Sequence, residues 1–290
     1  MSAAEHDAER PTTAGPSARP ARLAQLRPPG RSTSRTRDLA WFVSPFLLLL
    51  LVWIVVVPAA DVSPRVFPSA PAVWAALTSM IADGTLWNHL GSSLFRVFAG
   101  AGAAIAVGVP FGILMGTSKA VSGFFTPLLR FSVALAGIAW IPLATLWFGY
   151  GNNAVIFVVF NAVLFGVVYN AMLGTRQIST NLLRAGRSLG AGRWQMFWQV
   201  HLPGAAPSIA TGVRVGMGFA WRGLIAAEMI ATSAGLGYSL FLARQYYHTD
   251  VIILMMIIIG VLWLLMDRLL LAPVERRTVE RWGATRAVGV

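Results

Sequence analysis

Long apolar runs alternate with short polar ones along most of this chain. They cover about residues 39–57, 90–115, 124–147, 154–173, 207–231 and 251–271. Each approaches or exceeds the roughly 20 residues that an α-helix needs to cross hydrocarbon. The pattern predicts an all-α polytopic membrane protein with six transmembrane helices. Residues 59–89 are mixed, with Pro64, Pro68 and Pro71, and predict an external segment with a short interfacial helix near 73–81. Turns are expected at 116–123, which carries Lys119, at Gly149-Tyr150-Gly151-Asn152-Asn153 and at 233–237.

The ends read differently. Residues 1–38 hold seven arginines and five prolines and almost no large apolar side chains. They predict a disordered, basic cytoplasmic tail. A secretory signal is the rival reading of the first apolar run. Its nineteen residues exceed a usual signal core, so an uncleaved anchor is expected. One transmembrane domain over 39–271 is expected, followed by a basic cytoplasmic tail over 272–290.

Composition agrees with this class. Of 290 residues, 56% are hydrophobic and 12% charged, about half the charged share of a soluble domain. The net charge of +12 does not point to nucleic acid, because the arginines border apolar runs and form no stripe with interleaved aromatics. It does set orientation. With both termini inside, the cytoplasmic segments hold seventeen Lys and Arg, and the external ones hold only Arg65 and Arg244. That is the positive-inside bias. There is no cysteine, and His6, His89, His201 and His248 are scattered. No catalytic set, cofactor site or metal site is expected.

The polar stretch 174–206 therefore falls in the cytoplasm. Residues 177–189 have helical spacing, Gly190 and Gly192 interrupt it, and residues 193–201 can resume a helix with Trp194, Phe197, Trp198 and Val200 on one face. Pro203 is expected to end that helix. A short helix with exposed rings suits a groove on a partner. It equally suits an interfacial position on lipid headgroups, and local sequence leaves both readings open.

This stretch resembles the coupling loop of the permease subunits of ATP-binding-cassette importers. The family pattern is Glu-Ala-Ala, three residues, Gly, nine residues, Ile, one residue, Leu-Pro. Ala185, Gly190, Leu202 and Pro203 fall on it, and Val200 replaces Ile. Arg184 replaces the Glu and Gly186 the second Ala. Further stretches resemble the nitrate/sulfonate/taurine/bicarbonate branch: Leu146-Trp147-Phe148-Gly149-Tyr150-Gly151, Arg187-Ser188-Leu189-Gly190-Ala191, Ala226-Ala227-Glu228-Met229-Ile230 with Gly235-Leu236-Gly237-Tyr238, and Ala243-Arg244-Gln245 with Thr249-Asp250. The resemblance spans roughly 40–282. Many relatives have a proline-rich stretch in the third span, whereas here only Pro142 remains.

The resemblance implies a type I importer fold in a bacterial inner membrane. It implies a small, anionic solute brought by an external binding protein, two copies of an ABC ATPase, and a second permease copy forming a homodimer in the bilayer. The coupling-loop residues it implies are Arg184, Ala185, Gly186, Gly190, Trp194, Phe197, Leu202 and Pro203. The chain itself has no Gly-x-x-x-x-Gly-Lys-Ser/Thr phosphate loop, so ATP hydrolysis belongs to the partner. A secondary transporter without an ATPase is the alternative.

Ionisable residues inside the expected spans include Arg96, Arg130, Arg214, Arg222 and Glu228. Arg130 and Arg214 lie near inner ends, where snorkelling to headgroups is expected. Deep charges need a cavity or a partner. Arg222 and Glu228 are six residues apart and do not share a helix face. Arg96 is a candidate partner for Glu228. A structural ion pair, a lining of the translocation path and a misplaced span all remain open for Arg96, Arg222 and Glu228. Gly108, Gly112 and Gly116, and again Gly212 and Gly216, recur every four residues, which predicts close helix packing.

Overall fold

A computed structural model describes residues 35–59, 63, 66–135 and 137–282. The disordered tail expected over 1–38 lies, through residue 34, outside the described residues, as do residues 283–290. The chain divides into two compact units after Leu51. The described part of the first is the N-terminal portion of helix α1, Arg35–Ala59. Every regular element among the described residues is helical.

In the second unit, α2 (Ala70–Ala82) leads into the long α3 (Thr85–Thr117). A single extended residue, Ser118, separates α3 from α4 (Lys119–Ala134), and its hydroxyl caps α4 by accepting from Val121 N at 3.4 Å. The turn expected at 116–123 is therefore one residue long, because a serine N-cap lets the next helix start at once. The third expected span is interrupted. α4 ends at Ala134, a 3-10 turn covers Gly137–Trp140, and α5 (Ile141–Phe148) follows with Pro142 in its first turn. Proline fits there because a first-turn N–H needs no helical acceptor.

Helix α6 (Asn152–Arg176) begins after Gly149 and Gly151, whose φ values of 71° and 144° let the chain reverse. It is followed by α7 (Thr180–Ser188), α8 (Arg193–Met196), a π-helical turn at Phe197–His201, and α9 (Leu202–Ala231). Pro203 opens α9 instead of ending the preceding helix. The wider π turn directly before it accommodates a residue that cannot donate its N–H. Helix α10 (Leu236–Gln245) occupies ground read from sequence as external loop. Then come α11 (Thr249–Met266), a π turn at Asp267–Leu271, and α12 (Ala272–Trp282) where a basic tail was expected.

Among the described residues, three helices are long and apolar enough to cross a membrane: Thr85–Thr117, Asn152–Arg176 and Thr249–Thr278. Counting the two bent pairs, α4 with the 3-10 turn and α5, and Arg193–Ala231 with α10, raises this to five. The first expected span, 39–57, falls on α1, whose apolar stretch Ser44–Val55 is shorter than those three helices.

Helix α6 is the centre of the core, packed between α3 and α9, with Val155, Val158, Val159, Val163 and Val167 fully buried. The glycine rows make this packing possible. A Cβ on Gly112 would stand 2.7 Å from the Val168 carbonyl oxygen, and one on Gly212 would stand 2.6 Å from Asn170 Cβ. These helices touch backbone to side chain, at separations only small residues permit.

Candidate functional site

Three polar features stand out against this apolar core. The first is a buried knot at one end of α3, α6 and α9. Ser93 and Arg96 lie one turn apart on α3, and both face Glu228 on α9. Arg96 is 3% exposed and Glu228 is fully buried. Arg96 Nη1 donates to Glu228 Oε1 at 2.6 Å and to the Ala234 carbonyl at 2.7 Å, and its Nε donates to Asn152 Oδ1 at 2.8 Å. The Ser93 hydroxyl lies 2.8 and 2.9 Å from the two Glu228 oxygens, and Gly237 N–H donates to Oε2 at 3.0 Å. Leu236 N–H donates to Ser93 Oγ at 2.9 Å and Gly235 N–H to His89 Nδ1 at 3.1 Å. The knot thus ties the α9–α10 loop to α3 and α6. Gly235, at φ 125°, lies so close that a Cβ would be 2.5 Å from the Glu228 carboxyl carbon.

Sequence reasoning proposed Arg96 for Glu228 and missed Ser93, Asn152, His89 and the loop glycines. The legible signal was Ser93 and Arg96 at i, i+3 inside an apolar run, which puts both on one helix face.

The second feature is a cavity of about 410 Å³ bordered by α4, the 3-10 turn, α6 and α9. Its polar lining is Arg222, Asn161 and Ser132, and its rings are Trp140, Phe165 and Phe219. The Arg222 guanidinium lies over the Phe219 ring at 5.9 Å. Arg222 is exposed and forms no ion pair among the described residues. The structure thus brings Arg96 and Glu228 together and leaves Arg222 apart, on another face of α9. Arg214, expected to snorkel, instead holds Asp267 through Nε and Nη2 at 2.7 and 2.9 Å and Glu275 through Nη1 at 2.7 Å. That pairing fastens α12 and the π turn before it to α9. It was missed because the segment after 272 was read as a tail.

The third feature is the polar stretch between α6 and α9. Ser179 caps α7, accepting from Leu182 N–H at 3.4 Å. Arg184, Ala185 and Gly186 lie on α7, and a Cβ on Gly186 would meet Met196 Sδ at 2.8 Å, so α7 folds back onto α8. Gly190, at φ 80°, closes α7 with its N–H on the Arg187 carbonyl at 3.0 Å, and Ala191 N–H reaches Gly186 O at 3.1 Å. A left-handed glycine at a helix C-terminus satisfies carbonyls that the helix leaves free. Beyond it, Trp194 is 72% and Trp198 50% exposed, while Phe197 is half-buried. Trp194 stacks on Phe197 at 6.0 Å, and Trp198 meets both edge-on at 5.6 and 5.3 Å. Leu202 and Pro203 are half-buried at the start of α9. The result is an aromatic projection continuous with a core helix.

Among the described residues no cluster of His, Asp or Glu could hold a metal ion.

Residues 108–277 match the family described as binding-protein-dependent transport system inner membrane component. The chain is 34% identical over 247 residues to the taurine transport system permease protein TauC of Escherichia coli, covering 83% of this chain and 90% of the relative. It is 33% identical over 247 residues to the putative aliphatic sulfonates transport permease protein SsuC of the same organism, covering 83% and 92%. It is 34% identical over 186 residues to the bicarbonate transport system permease protein CmpB of Synechococcus elongatus, covering 64% and 66%. Among solved structures, the fold is similar to a chain of the MetNI methionine ABC transporter in inward-facing conformations. The TM-score is 0.51 at 19% identity, over 71% of this chain and 99% of that one.

Proposed function

The chain belongs to the binding-protein-dependent transport-system inner-membrane components, the permease subunits of ABC importers, and from that premise we propose its cargo, topology and contacts. As a multi-pass permease it is a transport subunit and not a catalyst, and its family implies an ATPase and a binding protein as partners.

The proposed cargo is a small anionic solute, on the ground that relatives of similar length are named for aliphatic sulfonates and bicarbonate, while a third is named for taurine, which shares the sulfonate group. The proposed orientation has six spans and both termini in the cytoplasm of a bacterial cell, supported by the seventeen Lys and Arg on that side. A homodimer with two ATPase copies is proposed because the resemblance implies paired permeases around one path.

The proposed docking element for the ATPase is the aromatic projection of Trp194, Phe197 and Trp198, together with Arg184, Ala185, Gly186 and Gly190 on and after α7, where Gly186 closely approaches Met196. The observation that carries this is its geometry. Two tryptophans are held exposed at the head of α9, the helix that also carries Arg222 and Glu228. A push on the projection would travel along one continuous element into the core. Lipid headgroups are the competing occupant. The test is co-purification of the ATPase with Trp194→Ala and Phe197→Ala variants. Loss of the ATPase with normal membrane insertion is expected. Full retention of the ATPase by both variants would refute docking through these rings.

A further inference from the structure

We propose that the Arg222 cavity is a solute subsite inside the permease, built for an organic monoanion that has an apolar body and no cationic amine. The proposal rests on the importer reading above.

The charge inventory is the first reason. Three arginines lie on the core helices α3 and α9. Arg96 is neutralised by Glu228, and Arg214 by Asp267 and Glu275. Arg222 has no carboxylate partner among the described residues and projects at a cavity wall. A cation at membrane depth is costly unless something offsets it, and an anionic guest would do so. A guanidinium also presents a planar fork that matches the oxygens of a sulfonate or carboxylate.

Shape is the second reason. One water needs about 10–15 Å³ of cavity space, and this cavity offers about 410 Å³. An inorganic anion of four heavy atoms would leave most of that space empty. The rest of the wall is mainly apolar, with Trp140, Phe165 and Phe219 supplying ring faces. Ligand sites commonly combine such walls with a few placed polar groups. Here Asn161 and Ser132 are those groups, beside Arg222. The Asn161 side-chain nitrogen donates to the Phe157 carbonyl at 2.9 Å, and an amide carries a second N–H.

Absence of negative charge is the third reason. No Asp or Glu lines the cavity. A zwitterion such as taurine would bring an ammonium against an apolar wall beside the Arg222 guanidinium. Burying that second charge unpaired is unfavourable. The subsite therefore discriminates against the solute for which one relative is named.

The test uses the permease–ATPase complex in phosphatidylcholine nanodiscs, with radiolabelled butane-1-sulfonate in equilibrium dialysis. Saturable binding is expected, with unlabelled taurine and nitrate each competing at least about tenfold less well. Arg222→Gln should weaken binding about tenfold or more, as expected for a charge-assisted contact. Arg222→Lys should retain part of the affinity, and Phe219→Ala should weaken butane-1-sulfonate more than nitrate. Should Arg222→Gln fail to assemble, Arg222→Lys and Phe219→Ala carry the test. Equal competition by taurine, or binding indifferent to Arg222 and Phe219, overturns the proposal. So does abolition of binding by added phosphatidylglycerol, which would assign the cation to a lipid phosphate. Failure of the ATPase to co-purify with the unaltered permease would instead count against the importer reading, and the cavity could still be tested on the permease alone.

Discussion

Replacing Arg96 by methionine should expose how much of the fold depends on the buried knot. The substitution keeps an unbranched chain of similar reach and removes three hydrogen bonds, to Asn152, Glu228 and Ala234. It leaves the fully buried Glu228 without its cation. Breaking one side of a buried ion pair costs about 3–5 kcal/mol. The lower end applies here, because Ser93 and Gly237 still donate to the carboxylate. For a domain of this size, about 3 kcal/mol corresponds to roughly 6–12 °C in Tm. Thermal unfolding of the purified protein in one detergent gives the number directly. The pair Arg96→Met with Glu228→Leu should recover part of the loss, since no buried charge is left unpaired, although the Ser93 hydroxyl and the Gly237 N–H lose their acceptor. A drop under about 2 °C for Arg96→Met, or additive losses in the double variant, would refute the reading of the knot as a coupled structural unit.

Other perturbations separate packing, surface and coupling contributions. Gly112→Val should destabilise by at least about 1–3 kcal/mol, because its Cβ would meet Ala171 Cβ at 2.6 Å and the Val168 carbonyl at 2.7 Å; the Tm of the detergent-purified variant checks this. Arg214→Gln should cost no more than about 1 kcal/mol, since its side chain is 41% exposed, and the difference in Tm should shrink as salt rises. Gly190→Val should leave the core intact, because nothing lies within 4 Å of its Cβ position. Yet φ 80° is strained for a branched residue, so the turn behind the aromatic projection should shift. Uptake should fall while Tm stays within about 2 °C.

The parts of the fold that follow from hydrophobic length alone were legible in the chain. The apolar runs behind α3, α6, α9 and α11 were plain because twenty apolar residues in water have no other stable place. The glycine rows of α3 and α9 were legible for a related reason, since spacing of four fixes one helix face. What failed depended on tertiary context. Pro203 reads as a stop in an isolated helix, but a π turn one residue earlier converts it into a start. The third span reads as continuous, whereas it divides into α4, which ends at Ala134, a 3-10 turn at Gly137–Trp140, and α5. Helix α10 was hidden because it is too short for a span and lies between two turn signals. Glu275 looked like a tail charge and Asp267 lay at the inner end of the last apolar run; only the packing of α12 and the π turn before it against α9 brings them to Arg214. Of the candidate site residues, the pairing of Arg96 with Glu228 could be guessed by elimination. The cavity around Arg222 could not, since its walls come from four separate segments.

The central claim is that this chain conducts a small organic anion only when driven by an ATPase partner. The direct measurement is uptake of radiolabelled butane-1-sulfonate into proteoliposomes holding the permease, its ATPase and the external binding protein. ATP is supplied on the ATPase side. The account predicts uptake that requires all three proteins and hydrolysable ATP, and that falls sharply with Gly190→Val. Uptake by the permease alone, driven by a proton or sodium gradient and indifferent to ATP, would contradict it.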